Sequence, residues 1–303
     1  MKLGVHLPQV GRNATREGVL AMARRAEELG FDSLWVSDHV VVPRRIGGQY
    51  PGAGAGAAAF PVPPDWDFLE AISTLLFAAA CTQRVLLGLS VLVVPQRNPV
   101  LTAKMLATLD VLSGGRLIFG AGIGWLPEEF DALGVPFAER GARTEEYLRL
   151  IKTLWTEEHP SFRGRFYSLD DVGFHPKPLR KPHPPIWMGG WAEAALRRVA
   201  RLADGWHAGG PPELLEERYQ LLRRFAVEVG RHPDDIVLSV RTESYLWSSG
   251  PEAALETLRR YREIGARHAS LVFSGRTIEL ALERMEGFAR DLRPRLEGAR
   301  GGE

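Results

Sequence analysis

The chain has one cysteine, almost no net charge and no long apolar run, and each deficit removes a class of protein. A lone thiol forms no intrachain disulfide and no zinc cluster; set among Leu75, Leu76, Phe77 and Ala78 to Ala80, Cys81 reads as a small buried hydrophobe. With 38 basic and 37 acidic residues the formal net charge is +1, which gives no long-range field to hold nucleic acid or an anionic membrane. No stretch of 18 apolar residues occurs, and the opening MKLGVHLPQVG lacks the apolar segment of a secretion signal. The expectation is a cytoplasmic protein that handles a small molecule, with no nucleic-acid and no membrane partner.

Glycine and proline, by contrast, are plentiful. The 32 Gly and 21 Pro among 303 residues amount to about 17%, against about 12% in average usage. That is too little for low complexity and too much for a helical bundle, so many backbone corners are expected. Length alone fits two domains of about 150 residues or one α/β barrel of about 250.

Periodicity decides between them. Short Val, Leu and Ile-rich runs at 2–7, 33–37, 85–91, 116–121, 185–188, 205–208, 236–241 and 268–273 read as strands. Each precedes a segment of helical period, at 16–29, 67–80, 99–112, 143–155, 192–202, 212–229, 251–264 and 277–292. The first helix places Val19, Met22, Ala23, Ala26 and Leu29 on one stripe, with Arg24, Arg25, Glu27 and Glu28 opposite. Asn98-Pro99 opens the third and Gly114-Gly115 closes it, while Ser249 to Glu252 reads as a capping box. Eight such pairs predict an α/β (β/α)8 TIM barrel as one domain over 1–293, with a frayed tail at 294–303. Two connections exceed an ordinary turn. The insertion after strand 2 (39–66) includes the Gly/Ala-rich stretch Gly52 to Ala59, and the one after strand 4 (156–184) ends in HPKPLRKPHPP; such rim segments serve as lids or subunit contacts.

Ligand chemistry in such a barrel sits at the carboxyl ends of the strands. Strand 2 ends in Asp38-His39, which fits an acid/base pair, a metal-ligand pair or a clamp on a bound ring. Metal is the weaker choice, because strands 1, 3 and 4 end in Pro8-Gln9, Val93-Val94 and Gly122-Ile123-Gly124, with no second His. Strands 5 and 6 end in Gly189-Gly190 and Gly209-Gly210. Glycine at a strand end admits close backbone approach and the following helix favours an anion, so three such ends in succession point to a phosphate-bearing cofactor. GAGIGWL lacks the third glycine of a dinucleotide fingerprint, which argues against a Rossmann fold.

With these residues in view, the chain resembles the bacterial luciferase-like superfamily of flavin and deazaflavin barrels, and most narrowly its probable F420-dependent oxidoreductase branch. The resemblance covers about residues 2–290 and rests on LGVHLP, LGFDSLWVSDHV, the stretch from VLLGLSVLVVP to FAERGAR, FHPKP, PPIWMGG and ADGWHAGG. It implies a non-prolyl cis peptide at Ser90-Val91, in a bulge that supports the back of the cofactor ring. It implies that Gly122, Ile123 and Gly124 flank the ring, and that Gly189, Gly190, Ala208 and Gly209 hold its phosphate-bearing tail. Asp38 and His39 would lie at the redox edge, with His39 as proton donor or acceptor and Asp38 orienting or tuning it. Members are often dimers, and the helices after strands 2 and 3 are candidates for that contact.

The implied cofactor is coenzyme F420, with FMN and a monooxygenase reaction fed by a separate reductase as the alternative; a flavin-binding barrel without turnover is the third. Sugar-phosphate-oxidising relatives carry a Trp soon after the His and a Glu after the Gly-x-Gly of strand 4. Here His39 precedes Val40-Val41-Val42-Pro43-Arg44 and Gly124 precedes Trp125, which argues against a sugar phosphate. Glu128 and Glu129, a turn further on, are candidates to supply a carboxylate, although they read first as exposed helix-start residues; Trp125, Trp66 and Phe60 are candidates for an apolar substrate wall.

Overall fold

A computed structural model describes residues 1–47, 50 and 60–298. Its first half runs β1 (Lys2–His6), α1 (Arg16–Glu28), β2 (Ser33–Val36), α2 (Ala71–Cys81), β3 (Leu86–Leu89) with its continuation β4 (Leu92–Val93), α3 (Pro99–Leu112), β5 (Leu117–Gly122), α4 (Pro127–Ala132) and α5 (Arg140–Thr156). A small antiparallel hairpin, β6 (Phe162–Arg163) with β7 (Ser168–Leu169), occupies the insertion after the fourth barrel strand. Then follow β8 (Ile186–Met188), α6 (Glu193–Leu202), β9 (Gly205–Gly209), α7 (Pro212–Glu228), β10 (Val237–Arg241), α8 (Pro251–Ile264), β11 (His268–Leu271), α9 (Ile278–Gly287) and α10 (Arg293–Glu297). The parallel strands lie in the order β3-β2-β1-β11-β10-β9-β8-β5, and pairing of Leu87 with Leu117 closes β3 on β5. The molecule is a TIM barrel.

Side-chain caps start several helices where the residue pattern places them. Thr15, Glu70, Asn98 and Thr277 accept from the first-turn amides of α1, α2, α3 and α9, satisfying groups that the helix cannot bond itself. Three boundaries differ from expectation. The second helix begins at Ala71 rather than 67, because Phe68 bridges to Val10 and Glu70 is the cap. The expected capping box at Ser249 does not form: Gly250, at φ 89°, is the residue before the helix, and Pro251 fixes its first position. Residues 294–297 of the expected frayed tail are helical, within α10, and bury Leu296; the tail's last residues, 299–303, and the Gly52 to Ala59 stretch lie outside the described residues.

The core has two layers. Outside the barrel wall, strand and helix side chains such as Leu34, Leu75, Leu106, Leu148 and Leu258 interleave. Inside it, Trp35 and Trp187 stack with centroids 5.5 Å apart, and Trp35 lies over the His207 ring at 4.7 Å. Glycines make that room: a Cβ on Gly88 would lie 2.4 Å from Trp35, and one on Gly205 2.6 Å from Trp187. Buried Arg116 ties α2 and α3 to the wall by donating to the carbonyls of Ala79, Thr82, Val85 and Ser113 and to the Thr82 hydroxyl. Cys81 is only partly buried, and burial pushes its thiol up. Among the described residues, no helix is long and apolar enough to cross a membrane.

Candidate active site

A cavity of about 560 Å³ opens at the floor of the barrel, lined by strand starts including Ser33, Trp187 and His268. The chemistry-bearing side chains converge at the other end, where β2, β4, β5, β8 and β9 finish. The candidate site is therefore the rim of strand ends rather than the floor cavity.

At the end of β2, Asp38 and His39 diverge. Asp38 is 4% exposed; its Oδ2 accepts from the Val93 amide at 2.8 Å and its Oδ1 from the Arg97 guanidinium. Burial pushes its carboxyl up and Arg97 pulls it partly back. Asp38 thus braces the segment after β4 and makes no hydrogen bond to His39, so the expected orienting role falls to another carboxylate. Nδ1 of His39 lies 2.9 Å from Oε2 of Glu129, whose other oxygen accepts from the amides of Val40 at 2.6 Å and Val41 at 3.3 Å.

Glu129 is 1% exposed, not the exposed helix-start residue its position in the first turn of α4 suggests. Burial alone would raise its carboxyl, yet hydrogen bonds from His39 and Val40 and the nearby imidazole outweigh this and hold it below the ordinary carboxylate range. A carboxylate on Nδ1 fixes that nitrogen as the proton-bearing one and leaves Nε2 to exchange a proton. Glu128 is also engaged, accepting from the Gly47 amide at 2.7 Å.

Behind this pair the Ser90-Val91 peptide is cis, as the resemblance implies. Val91 projects between two neighbouring strand ends: a Cβ on Gly122 would lie 2.4 Å from its Cγ2, and one on Gly189 3.5 Å from its Cγ1. The other glycines answer to the protein itself. Gly124, at φ 77°, has no room for a Cβ beside Phe130 and Val93, and a Cβ on Gly209 would lie 2.9 Å from the Arg241 carbonyl oxygen. Gly189 is the one in this group whose open face meets nothing closer than 3.5 Å. Gly190, at φ 113°, offers its carbonyl to Trp206, and Ala208 is buried in β9 beside them. Ile123 lies partly exposed between Gly122 and Gly124. Neither α6, after Gly189-Gly190, nor α7, after Gly209-Gly210, has a side-chain cap, although α4, α5 and α8 lack one as well.

An aromatic wall completes the rim. Phe60 lies 4.8 Å from His39 and 5.4 Å from Trp125, and Tyr50 packs on both Phe60 and Trp125. Trp66 stands apart, half exposed and covering Gly11. The sequence reading missed Arg97, Arg241 and Tyr50, and ranked Glu129 first as a helix-start residue. Arg241 ends β10 and donates to the Ser90 carbonyl at 3.3 Å. Among the described residues, no group of three or more His, Cys, Asp or Glu is arranged to hold a metal ion.

With this geometry established, comparison with known proteins is informative. The sequence profile described as luciferase-like monooxygenase matches residues 1–299. An uncharacterized protein of Mycobacterium tuberculosis is 34% identical over 70% of this chain and 72% of its own. An F420-dependent glucose-6-phosphate dehydrogenase of Kineococcus radiotolerans is 37% identical over 61% of this chain and 50% of its own, and an FMNH(2)-dependent dimethylsulfone monooxygenase of Pseudomonas putida is 41% identical over 37% and 32%. The crystal structure of the monooxygenase RslO1 from Streptomyces bottropensis superposes with a TM-score of 0.73 at 25% identity, covering 97% of this chain and 99% of that one.

Proposed function

The chain belongs to the luciferase-like monooxygenase family of enzymes, and from that premise we propose that it is an F420-dependent oxidoreductase that moves a hydride between C5 of the deazaflavin and a small organic substrate. The observation that carries the reading is the convergence, at one rim, of the His39–Glu129 pair with the Val91 shelf between Gly122 and Gly189. When bound, the deazaflavin supplies the two-electron chemistry; the protein supplies position and proton handling.

The residues fit that group. Val91 offers an apolar backing for a planar ring, with Gly122, Ile123 and Gly124 at its edge. Gly189, Gly190, Ala208 and Gly209 lead into α6 and α7, whose uncapped first turns present amides to the phosphate-bearing tail. His39, its Nδ1 held by Glu129, keeps Nε2 for the proton that accompanies the hydride. Asp38 acts at one remove, fixing through Val93 and Arg97 the segment that follows the Val91 shelf. Phe60, Trp125 and Tyr50 form the substrate side, which favours an apolar organic molecule over a sugar phosphate. The same reading includes a homodimer, with Leu101 and Leu112 of α3, 58% and 69% exposed, as the apolar contact.

The second reading places FMN in the same cleft as a monooxygenase, and its support is the Pseudomonas putida relative. The match to the F420-dependent relative extends over more of this chain, 61% against 37%, which favours the deazaflavin. Fluorescence titration of the purified protein with F420 and with FMN separates the two. Saturable F420 binding with FMN at least tenfold weaker is expected; tight FMN binding without F420 binding overturns the choice.

A further inference from the structure

Six buried side chains, joined by five hydrogen bonds, form an unbroken chain from the floor of the barrel to the proposed ring site. Trp35 Nε1 donates to Ser33 Oγ at 2.8 Å, and Ser33 Oγ lies 2.8 Å from His268 Nε2. His268 Nδ1 and His207 Nδ1 each lie 2.8 Å from Ser239 Oγ, and His207 Nε2 lies 2.8 Å from Ser90 Oγ. Every link joins a hydroxyl to an imidazole, so each can run in either direction, except the first. An indole N–H can only donate.

We propose that Trp35 sets the polarity of this chain and thereby presents the Ser90 hydroxyl as a hydrogen-bond donor to the cofactor ring. The inference rests on the cofactor reading above for its upper end and on geometry alone for the rest. Ser33 accepts a hydrogen bond from the indole N–H and donates its hydroxyl hydrogen bond to His268 Nε2, which makes His268 the tautomer with its proton on Nδ1. His268 then donates to Ser239, Ser239 donates to His207 Nδ1, and His207 carries its proton on Nε2 and donates to Ser90.

Both directions contain the same number of hydrogen bonds, and they differ in which hydroxyl hydrogen the protein leaves without an acceptor. In the reverse direction it is that of Ser33, which is 0% exposed, hemmed between Trp35, His268 and Gly4, where a Cβ would lie 2.4 Å from its oxygen. In the proposed direction it is that of Ser90, whose hydroxyl has His207 as its one partner among the described residues and sits beside the Val91 shelf, where the carbonyl and nitrogen acceptors of a flavin-type ring are expected. The chain needs neutral imidazoles, and burial lowers the pKa of His207 and His268, the latter to about 3. His6 stands outside it, paired with Ser270.

The test reads the tautomers directly, by long-range 1H–15N correlation on 15N-histidine-labelled full-length protein without cofactor. His207 as the Nε2–H form and His268 as the Nδ1–H form is the expected result; the opposite pair overturns the proposal. Trp35→Phe removes the fixed donor and Ser33→Ala the hydroxyl that links it to His268, and each is expected to shift both rings toward mixed or reversed tautomers. An unchanged pattern in a folded variant contradicts Trp35 as the origin. Ser90→Ala is expected to weaken F420 binding about fivefold to tenfold, and unchanged affinity removes the donor role. Failure of F420 to bind the wild type strikes the functional reading instead, leaving the tautomer result standing on its own.

Discussion

Glu129→Gln isolates the contact on which the site geometry turns. One Glu129 oxygen accepts from His39 at 2.9 Å and the other from Val40 at 2.6 Å, in a place where the Glu129 side chain is 1% and the His39 side chain 9% exposed. A glutamine of the same shape keeps one oxygen and replaces the other with a donor, so one of the two bonds becomes a donor facing a donor. Losing a buried charge-assisted hydrogen bond costs about 1.5 to 3 kcal/mol, which in a step that uses His39 corresponds to about 10- to 150-fold in rate.

The pH dependence has a definite sign. The folded-state pKa of Glu129 lies below the ordinary 4.5, so its contribution is fully present above that value and is lost as pH falls through the folded pKa. Urea unfolding of both proteins should therefore differ by about 2 kcal/mol at pH 7, narrowing below pH 4.5, with the His39 ring resonances displaced in the variant. Asp38→Asn should leave those resonances in place while lowering stability through Val93 and Arg97. The reasoning is refuted if Asp38→Asn moves the His39 signals and Glu129→Gln does not.

Other expectations follow from the same contacts. His39→Ala removes the proton-carrying side chain without touching the Val91 shelf, so turnover should fall to background while F420 affinity in a fluorescence titration stays within about threefold. Arg116→Ala strips five hydrogen bonds from carbonyls and a hydroxyl at the wall and should cost about 3 kcal/mol or more by chemical denaturation, with a lower midpoint and an unchanged m-value. His268 is held neutral, its pKa lowered by burial from 6.5 to about 3, so the stability it contributes is complete above pH 6.5 and declines as pH falls. At pH 5 this loss is about 2 kcal/mol relative to pH 7, and His268→Asn should flatten that part of the pH–stability curve.

The barrel was legible because its signal is local and repeated. An apolar run of strand length followed by a stripe such as Val19, Met22, Ala23 and Ala26 recurs eight times, and Gly114-Gly115, both at positive φ, ended the third helix where the sequence placed its end. The Ser249 capping box failed for a reason equally local, since Pro251 sets the first helical position and leaves Gly250 ahead of it. Partner choice was the part that sequence could not give. Asp38 and His39 are neighbours in the chain, but residues adjacent on an extended segment point apart, and the true partner of His39 lies ninety positions away at the start of α4. GWLPEEF marks a helix start, and only the closed barrel brings that turn against the end of β2. The glycines gave a mixed return: Gly122, Gly124 and Gly209 have packing reasons visible only in three dimensions, whereas Gly189 keeps the open face that a ligand reading needs.

The proposed function seats a deazaflavin at the strand-end rim, between Val91 and His39. A crystal structure of the protein grown with F420 tests it most directly. The account predicts the ring seated on the Val91 side chain, the redox edge turned toward His39, the tail running to the amino ends of α6 and α7, and the Ser90 hydroxyl on a ring acceptor. Density for F420 at the floor cavity, or a rim with the ring turned away from His39, contradicts it.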